Sequence, residues 1–159
     1  MISARYLTCL VLLSALFVTS CQTTSKIGAI GVTVVDFKPT GSSLLESRAI
    51  MTLRFINENL SPVAFSGSTH KLYLNGTYVG KAVNNQAVGL APISTSTQDV
   101  AVFFENVALV NQLAKLGQNT EVSYRLTSVL FYQQGDEKDE YDAETNGSID
   151  LAPLLNAGR

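Results

Sequence analysis

Residues 72–82, LYLNGTYVGKA, decide the class of fold because they read as a β-hairpin. Asn75-Gly76 is the strongest short hairpin signal, since both residues accept the positive φ that a two-residue turn requires. The dipeptide lies between two short β-rich runs. We therefore expect two paired strands, at His70–Leu74 and Tyr78–Val83.

Further β-rich runs, separated by turn residues, continue outward from the hairpin at the spacing of an all-β protein. Apolar residues alternate in two of them and so mark a buried face: Ala49, Met51, Leu53 and Phe55 in one, and Val100, Val102 and Phe104 in the other. Besides the hairpin, the predicted strands are 29–37, 48–57, 63–65, 98–105, 121–133 and 148–151. Residues 84–97 read as a loop with a short extended piece, and Asn146-Gly147 reads as a turn.

A single helix interrupts the strands. Asn106 is placed to act as its N-cap, and Gly117 suits a left-handed C-terminal cap. Leu109, Leu113 and Leu116 follow the spacing of one helix face. At three turns at most, this helix is expected to pack on the strands rather than build a core of its own.

Composition predicts one folded domain. The chain has 159 residues, of which 46% are hydrophobic and 15% are charged, and its formal net charge is −2. These values suit a globular chain of ordinary domain size. Lysine and arginine are scattered singly, so no basic stripe indicates a nucleic-acid partner.

The first twenty residues have the anatomy of an export signal. Arg5 supplies a positive n-region, and residues 7–18 form an apolar h-region that is too short for a transmembrane helix, which needs about 20 apolar residues. We predict a signal peptide at 1–20, a lipidated cysteine with a short polar tether at 21–26, and the folded domain at 27–155.

Cys21 lies where the apolar run gives way to polar residues. A disulfide to Cys9 is disfavoured because Cys9 lies inside the h-region, and a catalytic thiol would need a nearby histidine. Val18-Thr19-Ser20-Cys21 instead resembles a bacterial lipobox. The resemblance implies that the thiol of Cys21 receives a diacylglyceryl group, that the chain is cut before it, and that the new amino terminus is acylated.

Gln22 follows the lipidated cysteine. In a diderm bacterium an Asp at this position favours retention in the inner membrane, so Gln22 implies sorting to the outer membrane. Two or more acyl chains give stable anchoring. The expected partner is therefore the membrane, through acylated Cys21, with the domain on the periplasmic face.

Four collinear stretches resemble the late embryogenesis abundant type 2 family, also called the WHy (water stress and hypersensitive response) domain. They are LRFINENLSPVAFSG (53–67), LYLNGTYVGKA (72–82), GLAPISTSTQDVAVFFENVALVNQLAKLG (89–117) and VSYRLTSVLFY with NGSIDL (122–132 and 146–151). The resemblance implies an immunoglobulin- or fibronectin-III-like β-sandwich of seven or eight strands with one short helix in a crossover. It also implies a non-enzymatic role linked to stress tolerance. The family usually places proline next to an asparagine of the Asn-x-Asn turn, whereas here Leu60 and Ser61 intervene before Pro62.

Candidate chemical groups are few. His70 is the one histidine and is interpreted as a surface or core-edge residue, and the sequence shows no catalytic set, metal-ligand spacing or cofactor motif. Six acids lie within residues 136–144. They form either a calcium site, although the pattern of an EF-hand is missing, or a solvated hairpin tip that protects a sheet edge, which we favour.

Aromatic residues offer one more surface. Tyr73, Tyr78, Tyr124, Tyr132 and Tyr141, with Phe103 and Phe131, either form an exposed patch for a ligand or lipid or, more simply, take part in core and cross-strand packing.

Three functions remain open from the sequence. The leading hypothesis is a non-catalytic, lipid-anchored binding or protective module of the cell envelope that acts under water or envelope stress. The alternative is a carrier or assembly lipoprotein that holds a lipid or a partner strand. An enzyme is the least supported of the three, since the sequence shows no catalytic equipment.

Overall fold

The computed structural model describes residues 28–43, 46–116, 120–134 and 137–152, which contain nine strands and one helix. The strands are β1 (Ile30–Ser42), β2 (Glu46–Asn57), β3 (Val63–Phe65), β4 (Gly67–Leu74), β5 (Thr77–Asn84), β6 (Val88–Leu90), β7 (Ser94–Glu105), β8 (Glu121–Gln134) and β9 (Glu137–Asp150). The helix, α1, is Asn106–Leu116 and connects β7 to β8.

Seven strands form one antiparallel sheet in the order β1-β2-β7-β5-β4-β8-β9, and β3 pairs with β6 in a small second sheet. The large sheet is curled into a half-barrel, since residues of β8 and β9 reach β1 at the far edge. The Tyr141 hydroxyl accepts a hydrogen bond from the Ile30 N–H (3.0 Å), and the Tyr124 hydroxyl accepts one from the Val34 N–H (3.2 Å). These two bonds join strands that are not neighbours in the sheet order.

The predicted all-β class with one short helix in a crossover is confirmed, because α1 links two strands that are not adjacent in the sheet. The described residues contain nine strands rather than seven or eight, since β6 forms within the predicted loop 84–97. The finer assignment, an immunoglobulin- or fibronectin-III-like sandwich, stays a prediction.

The core lies inside the curl and follows the alternation predicted from the sequence. All seven apolar residues assigned to the buried faces of β2 and β7 are buried: Ala49, Met51, Leu53, Phe55, Val100, Val102 and Phe104. Leu109 of α1 is buried and Leu113 is partly buried against the same core. The side chain of Leu116, and Gly117, lie outside the described part of the chain.

Asn106 begins α1 but uses its side chain to join the helix to the β1–β2 connection. Its Oδ1 accepts a hydrogen bond from the Ser47 hydroxyl (2.7 Å), and its Nδ2 donates to the Ser43 carbonyl (2.7 Å). The amide thus makes tertiary contacts instead of the N-cap bond predicted for it. The helix end is located correctly, but the role of the residue is different.

β1 is longer than predicted and continues through Pro39 to Ser42. It is an edge strand, where proline is tolerated because its missing N–H leaves no ladder partner unpaired. Register shifts between Val34 and Asp36 and between Pro39 and Gly41 accompany this extension. β7 also begins earlier than predicted, at Ser94.

Asn146-Gly147 lies inside β9, so the turn predicted at this dipeptide is wrong. Gly147 pairs with Tyr124 of β8, and a Cβ on it would lie 2.8 Å from the tyrosine ring. The bare glycine leaves space for the ring to lie against β9 while its hydroxyl reaches Val34 on β1. The absence of a side chain at Gly147 therefore allows Tyr124 to link the two edges of the curled sheet.

We expect the substitution Gly147→Val to lower the free energy of unfolding by about 2 kcal/mol, because the new side chain displaces the Tyr124 ring from its place against β9. Denaturant unfolding followed by tyrosine fluorescence measures the loss. Gly89→Val is the matched control, since a Cβ on Gly89 of β6 meets no atom within 4 Å. Equal losses in the two variants would contradict a packing role for Gly147.

Candidate functional site

The chain enters the sheet beside two loops, and together they form the surface that we call the N-terminal end: residues 28–29, 58–62 and 91–93. Two backbone hydrogen bonds join these segments. The Glu58 N–H donates to the Ala29 carbonyl (3.3 Å), and the Ile93 N–H donates to the Asn59 carbonyl (3.0 Å). The entering segment, the β2–β3 loop and the β6–β7 loop are therefore one connected unit.

Asn57, the last residue of β2, is 1% exposed and fixes both loops. Its Nδ2 donates to the carbonyls of Ser61 (3.0 Å) and Ala91 (2.9 Å). Its Oδ1 accepts from the backbone N–H (2.9 Å) and the side-chain amide (2.8 Å) of Asn59. The two donors and two acceptor positions of the amide are all used, so this buried polar group carries no desolvation penalty from an unmade bond.

Asn59 extends this network to the start of the domain. Its Oδ1 accepts a hydrogen bond from the Gly28 N–H (2.6 Å), and its Nδ2 lies 3.5 Å from the Ala29 carbonyl. The Asn57-x-Asn59 pair thus holds the N-terminal segment against the two loops. The sequence showed these residues as a turn, and the available signal for the burial of Asn57 was that it continues the alternating buried stripe of β2.

Two large apolar side chains of the N-terminal end are exposed to solvent. Leu60 is 88% exposed and Ile93 is 63% exposed. Ile93 also has φ of 46°, a left-handed conformation that costs a β-branched residue about 1–2 kcal/mol. Packing of the core does not account for a strained apolar residue in water, so a role at the surface is indicated.

His70 lies in the core, so its interpretation as a surface or core-edge residue is wrong. It is 1% exposed and forms a short polar network with two serines that are buried as well. The Ser68 hydroxyl lies 2.8 Å from its Nε2, and the Ser128 hydroxyl lies 2.8 Å from its Nδ1. The Phe55 ring and the imidazole pack in an edge-type arrangement, with ring centroids 6.3 Å apart and planes inclined at 66°.

Burial lowers the pKa of His70 from 6.5 to about 4. Neutral imidazole donates through one nitrogen and accepts through the other, and serine hydroxyls can serve both. On protonation both nitrogens donate and both hydroxyls accept, so the two hydrogen bonds survive. The lowered pKa therefore reflects loss of hydration for the charged ring rather than loss of its hydrogen bonds.

A serine hydroxyl bonded to imidazole is also the arrangement of a nucleophile and its general base. Here both ring nitrogens are occupied by serines, which leaves no position for an orienting carboxylate. All three side chains are at most 1% exposed, so no substrate reaches them in this conformation. The network joins β4 to β8 inside the core and does not form an accessible catalytic centre.

The acidic segment is strand rather than hairpin tip from Glu137 onward, because β9 begins there and pairs with β8 along its whole length. β9 is an edge strand with four exposed acids among its first eight residues, which suits the protection of an edge: Asp139, Glu140, Asp142 and Glu144. Within the described ranges, no group of three or more His, Cys, Asp or Glu side chains could hold a metal ion. Asp136 lies outside those ranges.

A shallow groove of about 630 Å³ lies between the β8–β9 pair and the start of β4. Its lining includes Phe131 and Tyr132 of β8 and Lys138 and Asp139 of β9. The Tyr132 hydroxyl donates to the Asp139 carboxylate (2.8 Å), and this hydrogen bond lowers the pKa of Asp139. The groove is thus partly aromatic with a polar rim.

The predicted aromatic residues are dispersed and do not form one patch. Tyr73 and Tyr78 contact each other edge to face, and the Arg125 guanidinium lies 4.2 Å above the Tyr73 ring. Tyr124 and Tyr141 bond to β1 as described above, while Phe131 and Tyr132 line the groove. Packing and cross-strand pairing account for most of them.

The predicted lipidation site lies outside the described residues, as do all residues of the proposed lipobox and its sorting position: Val18, Thr19, Ser20, Cys21 and Gln22. Their roles stay predictions. In the part of the chain that the structure describes, no helix is both long and apolar enough to cross a membrane.

The fold and its sites define a mostly β domain with a curled antiparallel sheet, a crossover helix and polar networks that organise its ends and core. A family model for late embryogenesis abundant proteins matches residues 52–132, which is just over half of the chain. The chain belongs to the late embryogenesis abundant type 2 family, as its sequence resemblance predicted.

Solved structures are similar to this chain at low sequence identity, and the first of the two that follow shows the same fold. The solution structure of AT1g01470 from Arabidopsis thaliana is 16% identical, covers 82% of this chain and 89% of its own, and has a TM-score of 0.59. A protein from Archaeoglobus fulgidus, seen in a crystal structure, is 14% identical, covers 79% of this chain and 97% of its own, and has a TM-score of 0.45. A search of curated proteins found no match.

Proposed function

We propose that this protein is a non-catalytic, lipid-anchored member of the late embryogenesis abundant type 2 family that protects or binds components of the cell envelope under water stress. The observation that carries the proposal is the lipobox-like Val18–Cys21 placed just before a domain of this family. The family supports a non-catalytic role in water stress. In this proposal, acylation at Cys21 places the domain on the periplasmic face of the outer membrane.

The geometry of the domain is compatible with such an anchor. Gly28 is held at the N-terminal end by Asn59, and six residues, 22–27, separate it from Cys21. At about 3.3–3.6 Å per residue, that segment spans at most about 25 Å. An acylated Cys21 would therefore keep the N-terminal end of the domain close to the bilayer.

Cys21→Ala is expected to abolish acylation and cleavage before residue 21, so the chain keeps its leader and carries no acyl mass. Intact mass spectrometry and membrane fractionation measure both effects. Cys9→Ala is the matched control, because Cys9 lies in the predicted h-region and should not be modified. If Cys21→Ala is still processed at the same bond and fractionates with membranes, the lipoprotein proposal is wrong.

The protective role is tested in a strain that lacks the gene. Survival of desiccation and osmotic shock is expected to fall, to be restored by the wild-type chain, and to be restored only weakly by Cys21→Ala. Unchanged survival of the deletion strain would count against protection while leaving the anchor intact.

A second candidate function, carriage of a lipid or an envelope partner, is supported by the groove beside Phe131 and Tyr132. Native mass spectrometry of the purified chain is expected to show a bound lipid if the groove is a carrier site. Phe131→Ser should then remove the bound mass, whereas a ligand-free wild-type spectrum would disfavour carriage.

A further inference from the structure

We propose that the N-terminal end docks directly on the lipid surface, with Leu60 and Ile93 inserted among the lipids, so that the anchored domain holds a fixed orientation. This inference rests on the proposed lipid anchor and adds a second membrane contact to it. The occupant is the bilayer itself rather than a protein partner.

The position of the chain's entry supports a lipid occupant. The segment that leads from Cys21 reaches the domain at Gly28, and Gly28 is bonded to the residue that precedes Leu60. Ile93 is bonded through its backbone N–H to that same residue, Asn59. An anchor at Cys21 therefore brings the two exposed apolar side chains, and not another part of the domain, toward the bilayer.

The loops that carry these side chains contain one charged residue, Glu58, at the start of the β2–β3 loop. Pro62, Ala91 and Pro92 are exposed beside Leu60 and Ile93. Residues 59–69 and 82–98 contain no Asp, Glu, Lys or Arg, so insertion of Leu60 and Ile93 buries no formal charge as long as the exposed Glu58 stays in water. The Asn57 amide satisfies loop carbonyls that would otherwise lose hydrogen bonds to water on docking.

Two other exposed apolar residues, both on α1, lie away from the anchor. Val107 and Val110 are exposed on α1, which follows the far end of β7. β7 begins at Ser94, next to Ile93, and ends eleven residues later at Glu105, roughly 35 Å away at about 3.3 Å per residue. That surface is therefore distal when the N-terminal end faces the bilayer.

Charge selects the kind of lipid surface. Glu58 belongs to the N-terminal end, and the exposed Asp139 and Glu140 lie near the same end of the sheet with Lys138 as a nearby cation. The local excess of negative charge disfavours an anionic surface. We therefore expect docking on zwitterionic phosphatidylcholine and weaker docking as anionic phosphatidylglycerol is added.

The test uses Leu60→Trp in the full, acylated chain, because the sequence contains no tryptophan to interfere. The protein is reconstituted in phosphatidylcholine vesicles with and without brominated acyl chains. We expect blue-shifted emission that brominated lipid quenches, and quenching that declines with added phosphatidylglycerol. Val107→Trp, at a position that is 76% exposed at the far end, is the control and should stay unshifted and unquenched.

Three outcomes overturn the docking proposal. The first is emission of the Leu60→Trp chain that brominated lipid does not quench, and the second is quenching no greater than that of Val107→Trp. The third is a blue shift without quenching that weakens when the protein is diluted in the bilayer, which would indicate a second copy as the partner. The fluorescence of each chain is measured only on protein whose mass shows acylation at Cys21. Absence of that mass would refute the anchor itself, so the two failures are distinguishable.

Discussion

Replacing Asn57 by alanine lowers the free energy of unfolding by about 3 kcal/mol, one of the largest effects expected for any single polar substitution in this domain. The substitution removes four hydrogen bonds at once and leaves the Ser61 and Ala91 carbonyls without their donor. Because Asn57 is buried, water cannot replace the lost bonds without opening the loops. Chemical denaturation with matched far-ultraviolet and tyrosine signals measures the change.

The variant Asn57→Asp separates hydrogen-bond geometry from side-chain volume. It keeps an acceptor for Asn59, but it places a carboxylate oxygen against two carbonyls and buries a charge. We expect a loss at least as large as that of Asn57→Ala at neutral pH. Asn146→Ala, an exposed site on β9, is the control and should change the free energy by no more than about 0.5 kcal/mol. A mild effect of both Asn57 variants would mean that the loops do not depend on this amide.

The two Asn-Gly pairs show what sequence can and cannot predict in this fold. Asn75 and Gly76 both have positive φ and form the predicted turn between β4 and β5. Gly147 instead lies inside a strand because the Tyr124 ring occupies the space above it. Local turn preference is the same at both sites, and the difference comes from a partner on another strand, which a local pattern does not contain.

The buried faces could be predicted because they follow from a local pattern, whereas the sites depend on contacts between distant residues. Alternation with period two places Met51, Leu53 and Phe55 on one face regardless of what lies across from them. The burial of His70 depends on the register of β4 with β8, which puts it directly opposite Ser128. The exposure and strained backbone of Ile93 depend on the loop bond to Asn59. Such features follow from long-range contacts.

His70 is expected to make the stability of the domain depend on pH between about 6.5 and 4. In the unfolded chain its pKa is about 6.5, whereas burial lowers the pKa to about 4 in the folded protein. The unfolded state therefore binds a proton that the folded state excludes within this window. Stability is complete above about pH 6.5 and falls as the pH is lowered, by about 3 kcal/mol in total at pH 4.

The variant His70→Gln should flatten this dependence, because glutamine does not titrate and can still donate and accept hydrogen bonds toward Ser68 and Ser128. Free energies of unfolding measured at half-unit intervals from pH 4 to pH 7.5 give the slope for each chain. Asp139→Asn is the control: hydrogen bonds from Tyr132 and the Glu140 N–H lower the pKa of Asp139 below 3.8, so its contribution is lost only at more acidic pH. The slope between pH 6.5 and 4 should therefore survive in Asp139→Asn and disappear in His70→Gln. If His70→Gln keeps the wild-type slope, the imidazole is protonated in the folded domain and the polar network with its two serines does not exclude charge from the core.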